Sequence, residues 1–312
     1  MKKSKYLYSF FETIYNLFVL FEKQINVKNA FHEISEFHVR ESSLYGAIPR
    51  DIREQSIDNQ PYRHYFTEFD LFEGMSDSKM SSKNEARHVE IYASIPRKDR
   101  SMNVFYLHEM YRKIYLIVSL LHNTKQSVEK QSKCSKRIRI FLVLTKHKKV
   151  LPKSPQHEID TIHCNTAFTY SCKTKNEIVV FREEEWCKVL IHELFHTLGL
   201  DFSMMTEQQK TYVNDTLKKM YPGIDASILD LGMYETYCET MAQMIHGILT
   251  TYMQVGGSVG FPTVYTIWHQ TMEREIEWSM FQCVKILNFY NLTYVDLLTT
   301  ETNQSKYYES KT

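Results

Sequence analysis

No C-x-x-C pair occurs among the six cysteines (134, 164, 172, 187, 238 and 283) of this 312-residue chain, so the zinc ribbons and redox motifs built on such pairs are excluded. Neither sign of charge is in excess: 38 Lys/Arg meet 37 Asp/Glu, for a net charge of +1, which argues against a whole-protein nucleic-acid or membrane-surface role. Glycine clusters only at Gly256, Gly257 and Gly260, and no G-K-[ST] follows, so a phosphate loop is excluded. There is no internal repeat. Long apolar runs are also missing. Tyr6 to Phe21, after Lys2, Lys3 and Lys5, has the outline of a signal peptide, but Glu12 and Asn16 interrupt it and no small-residue cleavage site follows. It is too short and too polar for a membrane span and reads as an amphipathic helix packed on the core.

What is present suffices for a folded core. Hydrophobic residues make up 43% and aromatics 13%, placing the chain among globular proteins of one large or two modest domains. The cysteines read as reduced thiols in an intracellular, reducing compartment, with Cys187 and Cys238 as small apolar residues inside helices. A Cys164–Cys172 bridge across a hairpin is the alternative.

The most informative stretch is Trp186 to Phe202, WCKVLIHELFHTLGLDF. His192 and His196 are four apart and share a helix face, and Glu193 completes H-E-x-x-H. This spacing suits Zn²⁺, which takes imidazole nitrogens and leaves a position for water. Val189, Leu190, Ile191, Leu194, Phe195 and Leu198 make the helix a buried one. Two imidazoles and a carboxylate are costly to bury alone; a shared metal ion removes that cost, and a satisfied structural network is the other solution. Glu183, Glu184 and Glu185 are expected in the first turn, complementing the helix dipole, and Gly199 at the C-terminal end.

In chain order, a helix is expected from about Lys5 to Ile34, followed by a polar region over 38–87 with a loop at Ser76–Asn84. His88 to Ile95 alternates like a strand. Ser101 caps a helix running to about His122, with Leu107, Tyr111, Ile114, Val118 and Leu121 on its apolar face. Lys125 to Lys153 holds ten Lys/Arg and one Glu around Ile138–Leu144, a buried strand with solvated basic flanks rather than a phosphate or acidic-peptide contact. Short strands at Asn165–Tyr170 and Glu177–Phe181 flank a turn at Lys173–Asn176. Helices are then expected from Thr206 to Met220, Leu231 to Gln254 and Pro262 to Phe289, with a last short one at Val295–Thr299.

A catalytic zinc needs a third protein ligand. The metzincin spacing calls for a His at position 202, which is Phe202, and Asp201 is one residue out of register. A second helix is the other source. In YETYCETMAQ, Tyr234 to Gln243, Glu235 and Glu239 share a face at i, i+4, where like charges repel. The pair makes sense if one carboxylate binds the ion and the other accepts the outer N–H of a ligating His; two solvent-facing glutamates are the plain alternative.

H-E-x-x-H followed about forty residues later by a helical Glu resembles the gluzincin branch of zinc metallopeptidases, the thermolysin-like and lethal-factor-like enzymes. There the ligand Glu is followed by a small residue at +3 and a carboxylate at +4, as in Glu235, Cys238 and Glu239. The resemblance implies Glu235 as ligand and Glu239 as its support; the register Glu239, Ala242, Gln243 keeps Glu239 open as the third ligand. Asn165-Thr166-Ala167-Phe168 resembles the N-A-F edge strand of that family, with one residue inserted. The likeness covers roughly residues 137 to 250, and HELFHTLGLDF is also similar to zincin-like proteins of large DNA viruses.

The resemblance implies an α+β, zincin-like catalytic domain over 136–312, made of a small mixed sheet with an edge strand, an active-site helix and a glutamate helix. Residues 1–135 would be a mostly helical region whose role is not readable. It further implies Zn²⁺ held by His192, His196 and Glu235, Glu193 as general base, a peptide or protein substrate added along 165–168, and a cytoplasmic location, host cell or virion if viral. An oxyanion donor is expected from His246, Tyr252, Tyr265 or His269. Two other readings stand beside the enzyme: a zincin-like scaffold that binds a protein without cleaving it, and a nucleic-acid-associated protein using segment 125–153.

Overall fold

The apolar run Ile140–Leu144 forms the middle of a sheet because both of its faces are covered. A computed structural model of the chain describes residues 5–25, 31–36, 38–71, 86–97, 104–123, 134–202, 205–220 and 233–297. Six strands are described: β1 (His32–Ile34), β2 (Tyr62–Leu71), β3 (Arg87–Pro96), β4 (Arg137–Thr145), β5 (Ala167–Thr169) and β6 (Lys175–Arg182). They form one mixed sheet in the order β1-β2-β3-β4-β6-β5. The β3–β4 and β4–β6 pairs are parallel; the outer pairs are antiparallel.

The helices are α1 (Lys5–Glu22), α2 (Arg50–Ile52, continued by a π-helical turn at Arg53–Asp58), α3 (Val104–Asn123), α4 (Thr161–Cys164), α5 (Trp186–Thr197), α6 (Glu207–Met220), α7 (Met233–Val255) and α8 (Phe261–Phe289). Ile138, Ile140, Leu142 and Leu144 of β4 share one core with α1, α3, α5, α7 and α8. Phe141 and Val143 face the other way, under Val39, Leu44, Ile48, Ile52 and Ile57 from the short helical turns before β2. With period-two side chains on two covered faces, β4 is apolar from Ile140 to Leu144, while Arg137 and Arg139 near its start pair with Glu90 and Glu177.

The chain is therefore α+β with a mixed sheet. Strands on both sides of residue 135 contribute to it, and β3 pairs directly with β4. The N-terminal α1 packs into the helical layer: Tyr15 donates a hydrogen bond to Val259 O at 2.5 Å, and Arg112 of α3 binds Glu22 at 2.6 Å. No helix among the described residues is long and apolar enough to cross a membrane.

Several expectations need correction. The first helix stops at Glu22, not Ile34: its buried stripe (Phe11, Ile14, Tyr15, Phe18, Phe21) ends there, and His32–Ile34 pairs as an edge strand with β2. The polar region 38–87 contains β2, whose alternation is carried by Thr67, Phe69 and Leu71 among charged residues. Cys134 and Cys172 form a disulfide, so these two are not reduced thiols, and Cys164 is free rather than paired with Cys172. The Ser76–Asn84 loop and the Ser101 cap lie outside the described residues.

Candidate metal centre

Helix α5 lies on β5 and β6 because Leu190, Ile191, Leu194 and Leu198 are wholly buried along one stripe. Each such side chain contributes roughly 1.5–3 kcal/mol. The three preceding glutamates do not occupy its first turn. Glu185 is the N-cap in a left-handed conformation (φ 58°) and pairs with Lys149 at 2.9 Å, while Glu184 accepts the Lys149 N–H at 3.1 Å. These acids anchor the loop after β4. At the other end Gly199 has φ +67°; its N–H donates to His196 O at 3.0 Å, and the Leu200 N–H donates to Phe195 O at 2.8 Å. That is the Schellman closure, with glycine where only glycine avoids a left-handed penalty.

The stripe that buries the leucines turns His192 and His196 toward α7. Their Nε2 atoms are 3.1 Å apart. Glu235 of α7 faces both, with Oε2 3.0 Å from His192 Nε2 and Oε1 3.4 Å from His196 Nε2. One ligand atom from each of the three residues falls within a 4.8 Å cluster. A tetrahedral ion with bonds of about 2.0–2.1 Å spaces its ligand atoms roughly 3.3 Å apart, so this donor set fits Zn²⁺ in both chemistry and spacing.

The outer nitrogen of His196 is held as a ligating histidine requires. Asp201 Oδ2 lies 2.7 Å from His196 Nδ1 and is itself buried. Glu239 Oε2 lies 3.4 Å from His192 Nδ1, close enough for attraction but too poorly aimed for a hydrogen bond, and its Oε1 takes Lys188 Nζ at 2.5 Å. Glu235 thus faces the inner nitrogens and Glu239 an outer one. Asp201, set aside at one residue out of register, supports His196 instead. Its signal was its place just past the left-handed Gly199, where the chain doubles back on the last helical turn. Phe202 packs on Tyr237 of α7, ring centroids 4.3 Å apart.

Glu193 is 9% exposed, and burial raises its pKa against the lowering pull of His192 and His196. Among the described strands, the edge strand β5 pairs only with β6. Asn165 and Thr166 precede it: Asn165 O accepts from Arg182 Nε at 2.8 Å, and Thr166 O from the Phe181 N–H at 2.9 Å. Ala167 faces the helices, Phe168 stacks on Phe181, and Thr169 Oγ1 meets Thr197 Oγ1 of α5 at 2.8 Å.

The four candidate oxyanion donors scatter. The Tyr252 hydroxyl donates to Glu22 at 3.1 Å in the α1–α7 interface, and Tyr265 packs in an aromatic cluster with Tyr8, Phe261 and Trp268. His269 pairs with Glu273 on its own helix at 3.4 Å. His246 has Glu275, Lys113, Lys188 and Glu185 as its charged neighbours, and burial lowers its pKa.

Two further His/Glu triads have ligand-like spacing, Glu36–His38–Glu41 and Glu68–His88–Glu90. The first is largely exposed, and in the second Arg137 binds Glu90 Oε1. The basic flanks of β4 are similarly spent on acids: Arg139 on Glu177, Lys146 on Glu183 and Lys149 on Glu185. No family model, characterised protein or solved structure matches the chain, so the arrangement of its own side chains is what speaks for its chemistry.

Proposed function

We propose that the chain is a zinc-dependent peptidase of gluzincin type, with a zincin-like catalytic unit built on β4–β6, α5 and α7. The observation that carries this reading is the convergence of His192 Nε2, His196 Nε2 and Glu235 on one point, beside the buried carboxylate of Glu193. When bound, zinc supplies a water whose pKa falls toward about 7. Glu193 would serve as general base, its carboxylate taking a proton from the attacking water and delivering it to the leaving amine; burial, which raises its pKa, brings it closer to the range where a carboxylate exchanges protons near neutrality. Asp201 holds His196 with Nε2 inward. An extended substrate adds to the open edge of β5, which Thr169 ties to α5 one residue after His196.

Metal analysis of the purified protein, followed by cleavage of a peptide library by wild type and Glu193→Gln, tests the proposal. The expected outcome is zinc in both proteins, with cleavage reduced about 10²–10⁴-fold in the variant. Equal cleavage by both overturns the role of Glu193, and none by either leaves a non-cleaving scaffold.

A further inference from the structure

We infer that the Cys134–Cys172 cystine is a thiol-exchange site whose redox state sets the metal affinity of the His192–His196–Glu235 centre, an inference that rests on the metal reading above. The cystine sits under the last turn of α5. A Cβ at Gly199 would lie 3.2 Å from Cys134 Sγ and 3.5 Å from Cys172 Cβ. Each of the two segments it joins supplies a donor to a carbonyl of the last helical turn, Cys172 joining the Gly199 N–H on His196 O. The Cys172 N–H donates to His196 O at 3.1 Å, and Ser135 Oγ donates to Thr197 O at 2.7 Å. The segments also bind each other, through the Ser135 N–H and Lys173 O at 2.7 Å. His196 is consequently fixed at two places, its imidazole by Asp201 and its carbonyl by Cys172 together with Gly199.

Backbone conformation makes this clamp dependent on the bond. Ser135 (φ 52°), Cys172 (φ 43°) and Gly199 (φ 67°) are all left-handed and meet around one cystine. For the two non-glycine residues that conformation is unfavourable and persists only where the surroundings impose it. Freed from Cys134, Cys172 relaxes toward negative φ, and its N–H leaves the His196 carbonyl.

Access is one-sided. Cys134 is wholly buried, whereas Cys172 is half-buried, so we place the exchange at Cys172, the half of the cystine that reaches the surface. A dithiol reductant supplies the two electrons. Its thiolate attacks Cys172 Sγ, forming a mixed disulfide and expelling Cys134 as a thiolate that takes up a proton. Its second thiol, as the thiolate, then displaces Cys172, which is protonated in turn, and the reductant leaves as its own disulfide.

The test compares full-length protein in three forms: oxidised wild type, wild type reduced with dithiothreitol and desalted anaerobically, and the Cys134→Ser/Cys172→Ser variant. Zinc affinity is read by competition with a chromophoric chelator. Reduction is expected to weaken zinc binding about tenfold, the effect typical of a lost outer support, and the double variant is expected to match the reduced form and ignore reductant. Because the variant lacks both thiols, it separates loosening of His196 from capture of zinc by freed sulfur. Unchanged affinity in the reduced protein overturns the inference. Should the double variant fail to fold, Ser135→Ala, which keeps the cystine and removes the Thr197 bond, is expected to weaken zinc binding in the oxidised protein, and no loss there overturns the clamp. A protein that takes up no zinc in either redox state defeats the metal reading instead; the clamp is then judged by amide hydrogen exchange, where unchanged protection of Gly199 and Leu200 on reduction overturns it.

Discussion

Asp201 Oδ2 and His196 Nδ1 are 2.7 Å apart, at the opposite end of the imidazole from Glu235. A carboxylate there fixes the tautomer with Nε2 free and raises the basicity of that nitrogen. Asp201→Asn keeps an oxygen for the hydrogen bond but loses the charge. Zinc affinity should fall about 10–100-fold, measured by chelator competition at neutral pH. An unchanged affinity would make Asp201 a folding residue only.

Glu235 and Glu239 lie one turn apart, and their neighbours give them different work. Glu235 faces both inner nitrogens, while Glu239 is shared between Lys188 and the outer nitrogen of His192. Glu235→Gln should therefore cause the larger loss of zinc affinity and Glu239→Gln the smaller. The reverse order in the same competition assay would make Glu239 the ligand.

Arg182 is wholly buried, and its guanidinium donates to the carbonyls of Asn165, His147 and Ile162 at 2.8, 3.2 and 2.5 Å. Burial lowers its pKa, yet it stays charged because guanidinium deprotonates so reluctantly. These three bonds hold the approach to β5. Arg182→Met fills the volume but leaves buried carbonyls unpaired and should destabilise the fold by about 3 kcal/mol, read from urea unfolding. A loss under about 0.5 kcal/mol would show that water replaces the guanidinium.

Much of this arrangement was legible where the pattern is local. His192, Glu193 and His196 lie within five residues, and the flanking leucines carry the helical period; Ile140–Leu144 is apolar at every position because both faces are covered. The rest depends on the tertiary fold. Strand β2 alternates, but with Glu68 and Asp70 on the open face it reads as polar chain. Cys134 and Cys172 are 38 residues apart and meet only because both flank the end of α5. Tyr252 has the chemistry of an oxyanion donor, and only the docking of α1 reveals that Glu22 takes its hydroxyl.

Gly199 joins the helix end to the cystine, so it tests the local geometry directly. An alanine there would hold φ +67° at a cost of about 1–2 kcal/mol and press its methyl on Cys134 Sγ. Gly199→Ala should lower unfolding free energy by at least that amount in urea. A neutral result would mean that the last turn of α5 can end differently.

The site's charges make metal binding depend on pH. Burial alone would lower the pKa of His192, but the facing Glu235 and Glu239 carboxylates bring it up to about 9. His196, also buried, is brought up to about 10 by Asp201 and Glu235. The two imidazoles hold Glu235 far below the usual carboxylate range, and Glu239 is lowered to about 2 despite burial, by His192 and Lys188. In the metal-free protein the histidines add stability that is fully present below their ordinary 6.5 and is lost as pH climbs through about 9 and 10. The carboxylates add stability present above their ordinary 4.5 and lost as pH falls, for Glu239 through about 2. Zinc requires neutral imidazoles, so binding at pH 7 should expel roughly one to two protons, and affinity should rise with pH until both histidines are neutral. Calorimetry in buffers of different ionisation enthalpy measures that release. Binding heat that is the same in every buffer at pH 7 would mean that the imidazoles are already neutral and that the carboxylates around them do not carry the charge assigned here.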